Sequence, residues 1–350
     1  MTRLLPFLLL ALAPLCQSIR NQFPTLEDTL EMAFLSSVVY DFWGSDGCNA
    51  ALLPRNLTCH YYHHDQTQGA QVLVVTSADY ICIVFAGTDD LRTSIADGDV
   101  LLKPFGPLDE QGNSIKIPGP ARVHAGFDSA VFEHGLYDTV VEIVNRLRNT
   151  HAHYKLFTTG HSLGASNSLL LSVGLAIDYP DLIISNINFG CPRTGNHEWR
   201  KYVHLSLQNL SIFRFVQGWD LVARLPEYPF YHVGHTVQLD SDSAKAYYLH
   251  TGNTSLDYAG VPMGWGSMPF FWVPGALSSH HIKGYHDYLI QLSVGNEEVR
   301  FVDKFELCTP TNDDHPPSVN DDEYVNPPDD ALIIEEDLLM MYSDSALAKD

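Results

Sequence analysis

Between residues 70 and 217, short apolar runs bounded by turns alternate with longer amphipathic stretches, and this alternation restricts the fold more than any other feature. "AQVLVVTSADYICIVFAG" reads as two strands joined by a turn at Ser77 to Asp79. "VFEHGLYDTVVEIVNRLRNT" has helical spacing, with Val140, Ile143, Val144 and Leu147 on one face. A strand at "YKLFTTG" follows, then a helix from Ser162 to about Ile177, a strand at "ISNINFG" and another near "SIFRFV". Strand, helix, strand, helix is the pattern of a largely parallel sheet covered by helices, so the predicted class is α/β.

Residues 158 to 166, "TTGHSLGAS", set Ser162 between Gly160 and Gly164 in a G-x-S-x-G frame. A serine hydroxyl is a weak nucleophile until a base takes its proton and donors hold the resulting oxyanion. The frame alone carries little, but here "LFTTG" supplies a strand end and "LGASNSLLLSVGLA" opens a helix rich in small residues. Such a turn pushes Oγ out over the sheet, while glycines relieve crowding between strand and helix. The helix N-terminus also turns backbone N–H groups toward developing negative charge.

In such a sheet the acid and the base follow the serine in the order Ser, Asp, His. Asp220 in "FRFVQGWDLVARLP" comes directly after an apolar strand, at the rim that Ser162 occupies. For the base, "SSHHIKGYHDYL" offers His280, His281 and His286. His161, beside the serine, and His124 in "VHAGF" are expected to shape the site by packing and hydrogen bonding. Paired histidines at 63 and 64 and at 151 and 153 lack partners at ligand spacing, so no metal site is expected.

Five blocks in order resemble the class 3, fungal-type lipases of the α/β-hydrolase superfamily, over roughly residues 30 to 295. They are "IVFAGTDD", "VHAGFDSAV", "TTGHSLGAS", "NFGCPRTGNHEW" and "QGWDLVARLP". The resemblance implies an α/β-hydrolase fold, a largely parallel central sheet flanked by helices. It implies Ser162 as nucleophile, Asp220 as acid and a histidine near 286 as base. His286 is favoured because "YHDYLIQL" most resembles a His followed by an aromatic residue and an apolar helix; His281 is second and His280 third. The N–H groups of Thr88 and Leu163, with the Thr88 hydroxyl, would form the oxyanion hole, each aligned donor lowering the barrier by about 3 to 4 kcal/mol. Ala86 departs from the family's arginine before the oxyanion segment. No cofactor is implied.

The N-terminal "MTRLLPFLLLALAPLCQS" has one basic residue, a short apolar run, then small and polar residues, the pattern of a secretory signal peptide over 1–18. A hydrolase domain over 19–308 and an acidic, proline-rich tail over 309–350 complete the predicted organisation. Secretion predicts disulfides. Cys48 and Cys59 flank the turn-rich "CNAALLPRNLTC" and are the favoured pair, Cys82 and Cys191 fall in apolar runs as buried thiols, and Cys308 is left over. N-x-S/T sequons occur at Asn56, Asn209 and Asn253, with Asn209 close to a strand.

A net charge of −22 with no basic patch excludes nucleic acid as a partner and favours neutral over anionic lipid. The expected substrate is a lipid ester at an interface, with peripheral contact to a membrane or lipid droplet. A triacylglycerol lipase is the leading expectation, followed by a phospholipase A or galactolipase, a feruloyl-type esterase and, from another class, a non-catalytic lipid-binding scaffold. A lid after the oxyanion segment, with Leu91, Ile95, Val100, Leu101 and Leu102 facing the cleft, and the aromatic loop "YAGVPMGWGSMPFFWVPGALSS" are the candidate lipid-facing surfaces.

Overall fold

Strands β2 (Ala70–Thr76) and β3 (Tyr80–Ala86) are buried along their whole length, and their alternate side chains enter two different cores. Val72, Val74, Ile81, Ile83 and Phe85 point to one face of the sheet. Leu73, Val75, Cys82, Val84 and Ala86 point to the other. A strand buried on both sides needs helices above and below it, and the chain supplies them. The computed structural model describes residues 24–65, 70–87, 101–218, 220–226, 229–240, 245–249 and 278–295. They fall in one compact unit spanning residues 1–89 and 99–305; the second unit, 90–98 and 306–350, lies outside them.

The eight-stranded sheet also contains β1 (Thr58–Asp65), β6 (Lys155–His161), β7 (Ile184–Phe189), β8 (Leu210–Gln217), β9 (His235–Asp240) and β10 (Lys245–Leu249). Its order is β1-β2-β3-β6-β7-β8-β9-β10. Neighbours from β3 to β9 run parallel, and β1, β2 and β10 add antiparallel edges. A small separate ladder joins β4 (Leu102–Pro104) to β5 (Arg122–His124).

On the first face lie α2 (Ala125–Phe132), α3 (Leu136–Thr150), α4 (Leu163–Asp178) and α5 (His197–Ser206). The predicted face of α3 is the buried one, with Val140, Ile143, Val144 and Leu147 in the core. The single helix suggested by "VFEHGLYDTVV" is in fact two, because the chain turns at His134 and Gly135, both at positive φ. On the second face lie α1 (Leu26–Asp41) and α6 (Ile282–Gly295). A capping box opens α1: Asp28 N–H donates to Thr25 Oγ1 at 2.9 Å and Thr25 N–H to Asp28 Oδ2 at 3.4 Å.

The Cys48–Cys59 disulfide is formed, and Cys82 and Cys191 are buried free thiols. Part of the expected lid is corrected. Leu102 begins β4 and pairs with His124, and Leu101 points to solvent at 61% exposure. Buried Asp128 holds this strand down by accepting from Gly106 N–H at 2.7 Å and pairing with Lys103 at 2.8 Å. Residues 88–100, the aromatic loop up to 277, the leader and the tail lie outside the described residues. Among the described residues no helix is long and apolar enough to cross a membrane, and no cluster of His, Cys, Asp and Glu suits a metal ion.

Candidate active site

Ser162 stands between the end of β6 and the first turn of α4 with φ +61° and ψ −132°. A non-glycine residue takes up this left-handed strain only where its surroundings hold it there. Its N–H donates to Phe189 O at 3.0 Å and its carbonyl accepts from Ala165 N–H at 3.0 Å. The flanking glycines are steric necessities. A Cβ on Gly160 would lie 2.4 Å from Gly164 O, and one on Gly164 would lie 2.4 Å from Phe85 O. Only bare backbone lets α4 start this close to β3 and β6.

Beyond β8 the chain turns at Gly218, and Asp220 follows, fully buried. Its Oδ1 accepts from Val222 N–H at 2.9 Å, so the carboxylate caps the short turn Val222–Arg224. Arg193, from the "PRTGN" block, braces this loop from below, donating to Arg224 O and, at 3.0 Å, to Pro226 O.

The histidine at Asp220 is His280. Its Nδ1 lies 2.9 Å from both Oδ1 and Oδ2, at the end of the turn Ser278–His280 that leads into α6. The expectation for His286 is corrected: it lies about one turn into α6, its ring 6.2 Å from Phe34 of α1, in a groove with Leu30, Glu31 and Ile290. His281 is exposed. A residue meant to reach Asp220 must leave the backbone before α6 packs on α1, which is where the 3-10 turn puts His280.

With Nδ1–H of His280 donating to the carboxylate, Nε2 keeps its lone pair. That nitrogen and Ser162 Oγ are both buried with no hydrogen-bond partner among the described residues. Burial works to raise the Asp220 pKa, but the charge and hydrogen bond of His280 and the hydrogen bond from Tyr285 outweigh it and hold the carboxyl below its ordinary value. Tyr285 is itself fully buried and donates to Asp220 Oδ2.

Two glycines pack against these groups. Gly190 has φ +59°, and a Cβ there would lie 2.7 Å from Asp220 Oδ2 and 3.0 Å from His280. Gly87 packs over the nucleophile, where a Cβ would come within 2.8 Å of Ser162 Cβ. The blocks "NFG" and "FAGT" do carry these glycines, but what they touch is a matter of the fold. Leu163 is the first residue of α4, so its N–H has no intrahelical acceptor and is open to another one. Thr88 lies outside the described residues.

A serine at a strained strand-to-helix turn, an aspartate beyond the end of β8 and a histidine from the turn before α6 invite comparison with known hydrolases. Residues 82–230 match the family Lipase (class 3). This segment belongs to the class 3 lipase family. A lipase of Rhizopus niveus is 31% identical over 163 residues, covering 44% of this chain and 37% of that protein. A secreted mono- and diacylglycerol lipase of Malassezia globosa is 26% identical over 168 residues, 48% of this chain and 50% of that protein. The chain thus spans half or less of the length of these curated relatives. The crystal structure of a triacylglycerol lipase from Penicillium expansum superposes with a TM-score of 0.56 at 20% identity, covering 68% of this chain and 88% of that one. The fold of the class 3 lipase segment and the elements around it is the α/β-hydrolase fold, a mostly parallel central sheet flanked by helices.

Proposed function

We propose that this chain is a serine carboxyl-ester hydrolase that releases fatty acid from glycerolipids through an acyl-enzyme. The observation that carries the reading is the His280–Asp220 pair, with His280 Nε2 and the strained Ser162 Oγ both buried and unpartnered among the described residues. His280 Nε2 takes the Ser162 proton as Oγ bonds to the ester carbonyl carbon. Asp220 keeps the imidazole in the required tautomer and offsets the charge it gains. The oxyanion accepts from Leu163 N–H and, by family resemblance, from Thr88. The tetrahedral intermediate collapses with loss of the alcohol, which His280 protonates. Water, deprotonated by the same nitrogen, then attacks the acyl-enzyme, and Ser162 leaves with its proton restored as the fatty acid departs.

Neutral glycerolipid is the favoured substrate class, because the net charge of −22 repels anionic surfaces and relatives carry the names of lipases acting on acylglycerols. The test is a panel of triacylglycerol, diacylglycerol, phosphatidylcholine and galactolipid, each as monomer and as emulsion. The reading expects release of fatty acid from acylglycerols with a rise at the interface. Preference for phospholipid, galactolipid or feruloyl ester replaces the substrate, and binding without hydrolysis of any ester replaces the function.

The same reading places the chain in the secretory pathway. The apolar leader, the Cys48–Cys59 bond and the secreted relative support it. Asn56 is exposed in a turn closed by Leu57 N–H on Pro54 O at 3.0 Å, whereas the Asn209 amide nitrogen is held by Ala176, Tyr179 and Leu182 carbonyls, each at 3.1 Å. Secretion from eukaryotic cells therefore yields glycan on Asn56 and none on Asn209, read by peptide mass mapping. An intracellular, unglycosylated product overturns the placement.

A further inference from the structure

Two polar side chains outside the Ser162, His280 and Asp220 constellation cross the site from one wall to the other. Tyr40, near the end of α1, accepts from Gly87 N–H at 2.9 Å, and its hydroxyl lies 2.9 Å from His161 Nδ1. On the far side of that ring, Nε2 lies 2.5 Å from the carbonyl oxygen of His280. The end groups set the direction of every bond between them. A backbone N–H only donates and a carbonyl only accepts. His161 Nε2 therefore carries a proton; in the neutral ring Nδ1 is then an acceptor, and the Tyr40 hydroxyl donates to it.

The neutral ring is the stable one. Burial, then the electrostatic influence of the His280 ring, lowers the His161 pKa to about 3 against the opposing pull of Asp220. The titratable groups that face this ring are Tyr40, His280, His281, Asp220 and Tyr285. Both ring nitrogens are thus bonded, Nδ1 to the Tyr40 hydroxyl and Nε2 to the His280 carbonyl, and neither is left for proton transfer to substrate.

We propose that Tyr40 and His161 are positioning residues: a one-directional hydrogen-bonded bridge that fixes the strand end leading into Thr88 to the backbone of His280, across the nucleophile. The proposal rests on the hydrolase reading above and adds how its two walls are kept in register. Gly87 is the residue before the expected oxyanion donor, and it packs against Ser162. Slack at either end of the bridge shifts the oxyanion donor or the base relative to Oγ, and misplacement by about 1 Å costs on the order of a hundredfold in rate.

The test uses the full chain with Tyr40→Phe, which keeps the ring and deletes the hydroxyl. With p-nitrophenyl butyrate, kcat is expected to fall by about tenfold or more with KM within about twofold, and inactivation by diethyl p-nitrophenyl phosphate to slow in parallel. Nitrogen-15 NMR of the wild type is expected to find His161 protonated at Nε2 and not titrating between about pH 5 and 9. An unchanged kcat in the variant, or a wild-type His161 protonated at Nδ1 or titrating in that range, overturns the bridge. If Tyr40→Phe does not fold, the wild-type spectrum decides alone. Wild type that resists the phosphate ester altogether removes the hydrolase reading instead, and the His161 tautomer still tests the bridge.

Discussion

His280 Nδ1 lies 2.9 Å from each carboxylate oxygen of Asp220, while His286, on the next helix, packs its ring 6.2 Å from Phe34. Replacing the two separates a reacting group from a packing group. His280→Ala is expected to lower kcat/KM for a p-nitrophenyl ester by about a thousandfold or more, and His286→Ala to leave it within about twofold. The reverse ranking contradicts the assignment of the base.

Tyr285 donates to the carboxylate oxygen that also faces His280. Tyr285→Phe removes one of the groups that lower the Asp220 pKa, so that pKa rises. The carbon-13 shift of the Asp220 carboxyl, followed through the acid range in wild type and variant, measures the rise directly. An Asp220 titration that is the same in both proteins shows that His280 alone sets the carboxylate.

Strands β2, β3, β6, β7 and β8 and helices α3 and α4 were legible because their apolar runs and the stripe of α3 outweigh the buried polar side chains among them, such as Thr158, Asn186 and Arg214, whereas β4 and α5 were not read. The helix α1 was not read: Thr29 and Ser36 interrupt its buried face, with Ser36 Oγ bonded to Thr159 Oγ1 at 3.0 Å inside the core. Ser162 and Asp220 were legible because each follows a strand end, where sequence and geometry are tied. The histidine was not, since three candidates within seven residues differ only in how the turn before α6 aims them. Tyr40 and Tyr285 reach the site from distant parts of the chain, and no local pattern marks them.

Gly164 packs where a Cβ would meet Phe85 O at 2.4 Å and Ala86 C at 2.5 Å, both backbone atoms that cannot rotate away. Gly164→Ala is expected to cost about 3 kcal/mol of stability through this overpacking. Urea unfolding followed by fluorescence checks it, and an unchanged midpoint means that α4 can shift outward freely.

Burial first, with the electrostatic influence of the His280 ring on His161 and the positive charge of Arg214 and Arg193 beside His232, lowers both histidine pKa values, to about 3 for His161. Unfolded, each protonates near the ordinary value of about 6.5. Between about 3 and 6.5 the unfolded chain therefore binds more protons than the native one, and stability rises with pH by up to about 1.4 kcal/mol per unit per residue. Above that window the contribution is constant. Thermal unfolding at pH 7, 6 and 5 is expected to give a falling Tm; a Tm that holds or rises on acidification contradicts neutral burial of these rings.

The central claim is that the strained Ser162 is the nucleophile. Full-length protein treated with diethyl p-nitrophenyl phosphate and digested for mass spectrometry is expected to carry the diethyl phosphoryl group on Ser162 alone, with loss of esterase activity in step with labelling. Ser162→Ala is expected to stay folded, unlabelled and inactive. Esterase activity retained in Ser162→Ala, or a label on a different residue that tracks the loss of activity, contradicts the account.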